Sequence, residues 1–124
     1  MDPIVVPLFT RLLTPNDLKG SLNFPSRVLS AFPFPEGSHF MVFEAFDVHN
    51  HARQFRLSTR RFDRYRKPVL SRAHWRRYVE QKNLRVNDRV TFSMELNQAY
   101  GVRYRVKAER ILTIFGKDIW VDVE

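Results

Sequence analysis

The chain has 124 residues, 44% of them hydrophobic and 27% charged, with a formal net charge of +8. It has no cysteine, which excludes disulfide scaffolds, cysteine zinc modules and a thiol nucleophile. No apolar run approaches the roughly 20 residues that span a bilayer, and the opening MDPIVVPLFTRLLT is too short and too broken by proline for a signal peptide. These features predict one globular domain, soluble and intracellular. Eleven Phe, four Tyr and two Trp supply large apolar groups for a core, so the excess charge does not signal disorder. That excess is concentrated. Between Arg53 and Arg77 lie ten basic residues against one acid, Asp63, while the other residues nearly cancel. The commonest polyanion that selects for such a footprint is nucleic acid.

Taken in chain order, residues 7–13 predict a short strand. A helical period around Pro25 to Phe32 predicts a short helix. The run Phe40 to Phe46 is almost entirely apolar and predicts a buried strand. Phe55 and Leu57 alternate with Arg56 and Ser58, giving a strand over 53–59; RRFDRYR at 60–66 reads as a polar loop, and 67–70 as the next strand. From Ser71 to Asn83 the period is helical. Ser71 stands as an N-cap, and Leu70 and Trp75 are spaced as a hydrophobic staple. Trp75, Tyr78 and Val79 share one face while Arg76, Arg77 and Glu80 point away. Asn83 can take the left-handed conformation that ends the helix. Two alternating runs, Val90 to Leu96 and Val102 to Ala108, flank NQAYG and predict a hairpin. Further strands are expected at 110–115 and 119–123, joined by Gly116-Lys117-Asp118. Seven or eight short strands favour a barrel or sandwich.

Two stretches carry a resemblance. LSRAHWRRYVEQKNLRVNDRVTF, residues 70–92, is similar to the Trp-anchored helix, Lys-x-Leu and Gly-Asp before a buried strand of the plant-specific B-three DNA-binding domain. Trp75, Tyr78, Val79, Lys82, Leu84, Asp88, Val90 and Phe92 fill those roles. FTRLLTPNDLKGSLNFP, residues 9–25, resembles that family's opening strand, its Leu-Thr-Pro-Ser-Asp segment and the Pro that starts its first short helix. The likeness spans about residues 8–115 within a single domain of residues 1–124. The chain departs from the pattern where Asn87 and His74 replace glycines, and where Arg53 replaces the Trp that opens the fourth strand. The segment from Thr14 to Pro25 is also shorter than usual. Asn87 is a mild change because Asn tolerates positive φ.

The resemblance implies a mainly β fold, a seven-stranded open β-barrel with two short α-helices. It also implies a plant transcription factor, acting in the nucleus on double-stranded DNA, whose two arms grip the major groove. The first arm would run through Arg11, Thr14, Asn16, Lys19, Ser21 and Asn23. The second would comprise Thr59, Arg60, Arg61, Phe62, Asp63, Arg64, Tyr65 and Arg66. Side-chain chemistry agrees: Arg matches guanine O6 and N7 bidentately, and Asn matches adenine N6 and N7. Arg60, Arg61, Arg64 and Asn16 are candidates for base edges. Lys19, Arg56, Arg66, Lys67 and Arg72 suit phosphates, which set register rather than sequence. Tyr65 and Phe62 can pack on sugar or a thymine methyl.

Other readings stand beside this one. Arginines interleaved with Phe62 and Tyr65 suit stacking on single-stranded nucleic acid or RNA, and a basic face suits an acidic protein partner. Self-association, or pairing with other transcription factors, is compatible with both. The pair His49-x-His51 sits in an expected turn without a third ligand, and no phosphate-binding glycine loop is present. The sequence thus predicts a non-enzyme with no cofactor, no metal and no membrane association.

Overall fold

The computed structural model describes residues 2–62, 65–99 and 101–123; the side chains of residues 60–62, 65 and 66 lie outside that description. Among the described residues eight strands form: β1 (Ile4–Leu12), β2 (Leu22–Asn23), β3 (Phe40–Phe46), β4 (Ala52–Phe62), β5 (Tyr65–Leu70), β6 (Arg89–Asn97), β7 (Gly101–Ile114) and β8 (Lys117–Asp122). Two helices, α1 (Pro15–Lys19) and α2 (Arg72–Lys82), join them, with one 3-10 turn at Ser26–Ala31. Seven strands follow the order β1-β6-β7-β3-β4-β5-β2, and β8 is appended to β7. β1 and β2 end the series without pairing, so the barrel is open as the sequence led us to expect. Aromatic rings fill the gap. Phe9 of β1 meets Phe24, just past β2, edge to face at 4.5 Å, and the Arg27 guanidinium donates to the Leu8 carbonyl at 2.9 Å.

Alternation along the strands builds the core. Phe9, Phe43, Ala45, Phe55, Leu57, Val90, Phe92, Val106 and Ala108 turn inward and are buried. α2 closes one end with Trp75, Tyr78 and Val79, the face its period predicts. The Tyr78 ring meets Phe55 edge to face at 5.7 Å, and burial pushes the Tyr78 hydroxyl far above its usual range. Asn83 ends α2 at φ 52°, ψ 48°, and Asn87 holds φ 73°, both in the left-handed region that Asn tolerates.

Several expectations are corrected. The turn following Pro25 is a 3-10 turn rather than an α-helix. The first α-helix is instead α1, signalled by Pro15 at its first position and Thr14 capping it. β3 buries one face only; Phe40 and Val42 stay exposed because no layer packs outside them. The Arg56 guanidinium lies over Phe40 at 4.1 Å and that of Arg103 over Phe46 at 4.6 Å. Ser71 occupies the N-cap of α2 but makes no capping hydrogen bond through its side chain. The two strands expected at 102–109 and 110–115 are one, β7, and its turn is Phe115-Gly116 rather than residues 116–118. Finally, of the loop expected at 60–66, residues 60–62 and 65–66 are strand: β4 continues to Phe62 and β5 begins at Tyr65, while Asp63 and Arg64 lie outside the described residues.

Candidate nucleic-acid interface

The second arm is a ribbon. β3 pairs with β4 only as far as Ser58, and β2 pairs with β5 only at Leu70 and Val69. Two more bonds tie down the next rung: Thr59 N donates to the His39 carbonyl at 2.8 Å, and Phe24 N to that of Pro68 at 2.9 Å. Beyond it the rungs Arg60–Lys67, Arg61–Arg66 and Phe62–Tyr65 have no outer strand among the described residues. At about 3.3 Å per residue, the ribbon extends roughly 10 Å past the barrel. Residues 60–67 carry five basic groups and one acid. A two-stranded ribbon fits a major groove about 12 Å wide. The side chains of Arg60, Arg61, Phe62, Tyr65 and Arg66, and all of Asp63 and Arg64, fall outside the described residues.

The first arm is α1 with its flanks, and it is tied down from three sides. The Thr14 hydroxyl accepts from Asp17 N at 3.2 Å while the Asp17 carboxylate accepts from Thr14 N at 2.9 Å, a reciprocal box that starts the helix. Arg11 grips the same carboxylate twice, at 2.9 and 2.8 Å. The Trp75 indole N–H donates to the Asp17 carbonyl at 2.7 Å, fixing α1 to α2. Leu13 exchanges backbone bonds with Asn87 and Asp88. Burial raises the Asp17 carboxyl, but the bonds from Arg11 and Thr14 outweigh it and hold it below the usual carboxylate range.

These partners divide the expected contacts of the first arm. The Arg11 and Thr14 side chains both bond Asp17 and so help order the arm. Asn16, Lys19, Ser21 and Asn23 are exposed on it. Beside the first arm, at the base of the β4–β5 pair, lies a groove of about 440 Å³, lined by Gly20, Ser21, Ser58, Val69, Leu70, Ser71 and Arg72. It brings Ser21 and Arg72 together across β2 and β5. Arg56 and Lys67 are exposed on β4 and β5.

Sequence reading missed how the other arginines are used. Five buried carboxylates each meet at least one arginine: Asp17 with Arg11, Asp47 with Arg53, Asp88 with Arg110, Glu95 with Arg103 and Arg105, and Glu109 with Arg89. Buried Lys82 adds to Asp47 at 3.7 Å. Asp47 also accepts the backbone N–H groups of His49 and His51, both at 2.9 Å, which makes that turn an anchor for β3 and β4. Among the described residues no group of three or more metal-ligating side chains is found.

No family model matches this chain, and no curated protein does. Solved structures of the same fold are found. The Arabidopsis FUS3–DNA complex superposes with a TM-score of 0.67 at 18% identity, covering 84% of this chain and 97% of that one. The Arabidopsis thaliana transcription factor LEC2–DNA complex gives 0.69 at 17% identity, covering 87% and 96%. The likeness shows the fold, an open β-barrel.

Proposed function

We propose that this chain is a sequence-specific double-stranded DNA-binding protein, a plant transcription factor of the nucleus with no catalytic role. Its β4–β5 ribbon enters the major groove beside the α1 arm. The observation that carries the reading is the ribbon itself: a bare two-stranded extension with five basic residues, on a fold it shares with two chains solved as DNA complexes. Arg60, Arg61, Arg64 and Asn16 read base edges; Lys19, Arg56, Arg66, Lys67 and Arg72 hold phosphates; Ser21 and Asn23 line the approach, and Tyr65 packs on sugar. Arg11 and Thr14 contribute through the shape of the arm.

Duplex binding that neutralises about 5–8 phosphates lowers affinity by roughly 10³–10⁴ between 50 and 200 mM salt. Fluorescence anisotropy on a duplex pool, with single strands as competitors, measures it. A flat salt response rejects the reading, and preference for single strands favours the stacking alternative.

A further inference from the structure

The end of β7 and all of β8 stand outside the barrel. β6 pairs with β7 only up to Glu109, and from there to Ile114 the partner of β7 is β8. Among the described residues β8 pairs with nothing else. Leu112, Ile114 and Ile119 are 43–45% exposed and Phe115 is fully exposed. β8 has neither proline nor bulge, and of the features that blunt an edge strand it carries only charges, at Lys117, Asp118 and Asp122. The turn dictates which backbone groups this edge offers. Phe115 and Gly116 hold φ of 51° and 77° between the paired Ile114 and Lys117, a type I′ hairpin. Its closing pair is hydrogen-bonded and pairs then alternate, a phase that the 2.9 Å bond from Val123 N to the Ala108 carbonyl shares. Asp118, Trp120 and Asp122 therefore turn their N–H and C=O groups outward.

We propose that this edge pairs with the same edge of a second copy, antiparallel about a two-fold axis at Ile119, giving a four-stranded sheet. Two-fold symmetry sets each residue against one from the same face, so the axis passes at a residue that meets its own copy. An axis at Asp118 opposes two aspartates, and one at Trp120 opposes Asp118 to Asp122. The axis at Ile119 opposes Lys117 to Val121 and Asp118 to Trp120. There the carboxylate faces Trp120, whose ring carries the Arg89 guanidinium 4.0 Å from its centre. Charge also favours this edge. Residues 109–124 hold four acids and two bases in a chain of net +8, so the edge is not part of the strongly basic segment.

Sedimentation equilibrium without DNA tests the pairing, which stands apart from the DNA reading. A reversible monomer–dimer equilibrium is expected, and Ile119→Lys, placing two ammonium groups face to face, should weaken it by about tenfold or more. The register has its own readout because the chain has no cysteine. Ile119 would meet its copy in a non-hydrogen-bonded pair, about 4.5 Å between Cα atoms and within disulfide reach. Oxidised Ile119→Cys should therefore run as a covalent dimer and Val121→Cys as a monomer. Circular dichroism checks that the variants fold. A monomer at every concentration up to about 1 mM, a dimer indifferent to Ile119→Lys, or equal cross-linking of both cysteines each overturns the proposal.

Discussion

Trp75 links packing to the candidate interface at the scale of one residue. Its ring is completely buried, stacked on Tyr78 with centroids 6.0 Å apart, and its N–H holds the α1 backbone. Trp75→Ala should cost about 3–5 kcal/mol in urea unfolding. Trp75→Phe keeps most of the packing and loses the hydrogen bond, at about 1 kcal/mol. An alanine variant as stable as the parent would contradict the burial. Arginines divide by the same logic. Arg110 donates to Asp88 at 2.9 and 2.8 Å and to the Asn83 carbonyl at 3.0 Å. Arg110→Ala leaves a buried carboxylate without its main partner and should cost about 2–3 kcal/mol. Arg72, exposed at the groove, should give a variant of parental stability, and thermal unfolding of the two proteins separates the roles.

The two arms differ in how they are built as elements, and so in what their variants report. Between Thr59 and Lys67, Arg60→Ala or Arg64→Ala should relax base preference at one position of the site. Lys67→Ala should weaken all duplexes alike, a difference read from binding to a panel of single-base substitutions. Uniform losses from all three would make the ribbon a phosphate clamp only. The elements were legible where period and burial coincide. α2 and the β6–β7 hairpin follow their apolar faces, and Asn83 stops α2 as a left-handed residue. The ribbon was hidden because RRFDRYR shows no apolar alternation in the sequence, and the strands are held by the register of their paired backbone. α1 is too short to show a period, yet Thr14-Pro15 followed by Asp17 is a cap signal that the sequence already contains. β7 looked like two strands because its inner face passes from barrel to solvent near Glu109, while its backbone runs on unbroken.

Across the whole molecule, formal charge conceals how ions are distributed. Outside residues 53–77 acids and bases nearly cancel, and much of that cancellation is local, with buried carboxylates lying under arginines. Those pairs hold strands together, and the formal excess of charge falls on residues 53–77. The same arrangement sets how stability depends on pH. Hydrogen bonds from Arg103 to Glu95 and from Arg89 to Glu109 outweigh burial and hold both carboxyls low. For Asp17 and Asp47 burial pushes upward, but the bonds they accept prevail. Each of these groups is more acidic folded than unfolded. Between the two values the unfolded chain binds more protons, so stability rises with pH through that window. Their contribution is fully present above the unfolded values, about pH 4, and is lost as pH falls through the folded ones. Urea midpoints should therefore stay level from neutrality to about pH 5 and drop below about pH 4. Glu109→Gln should be less stable at neutral pH and show a shallower acid drop, because one of the linked protons is gone. A parental midpoint that holds level down to about pH 2 would mean that these pairs bring no net stability to the barrel.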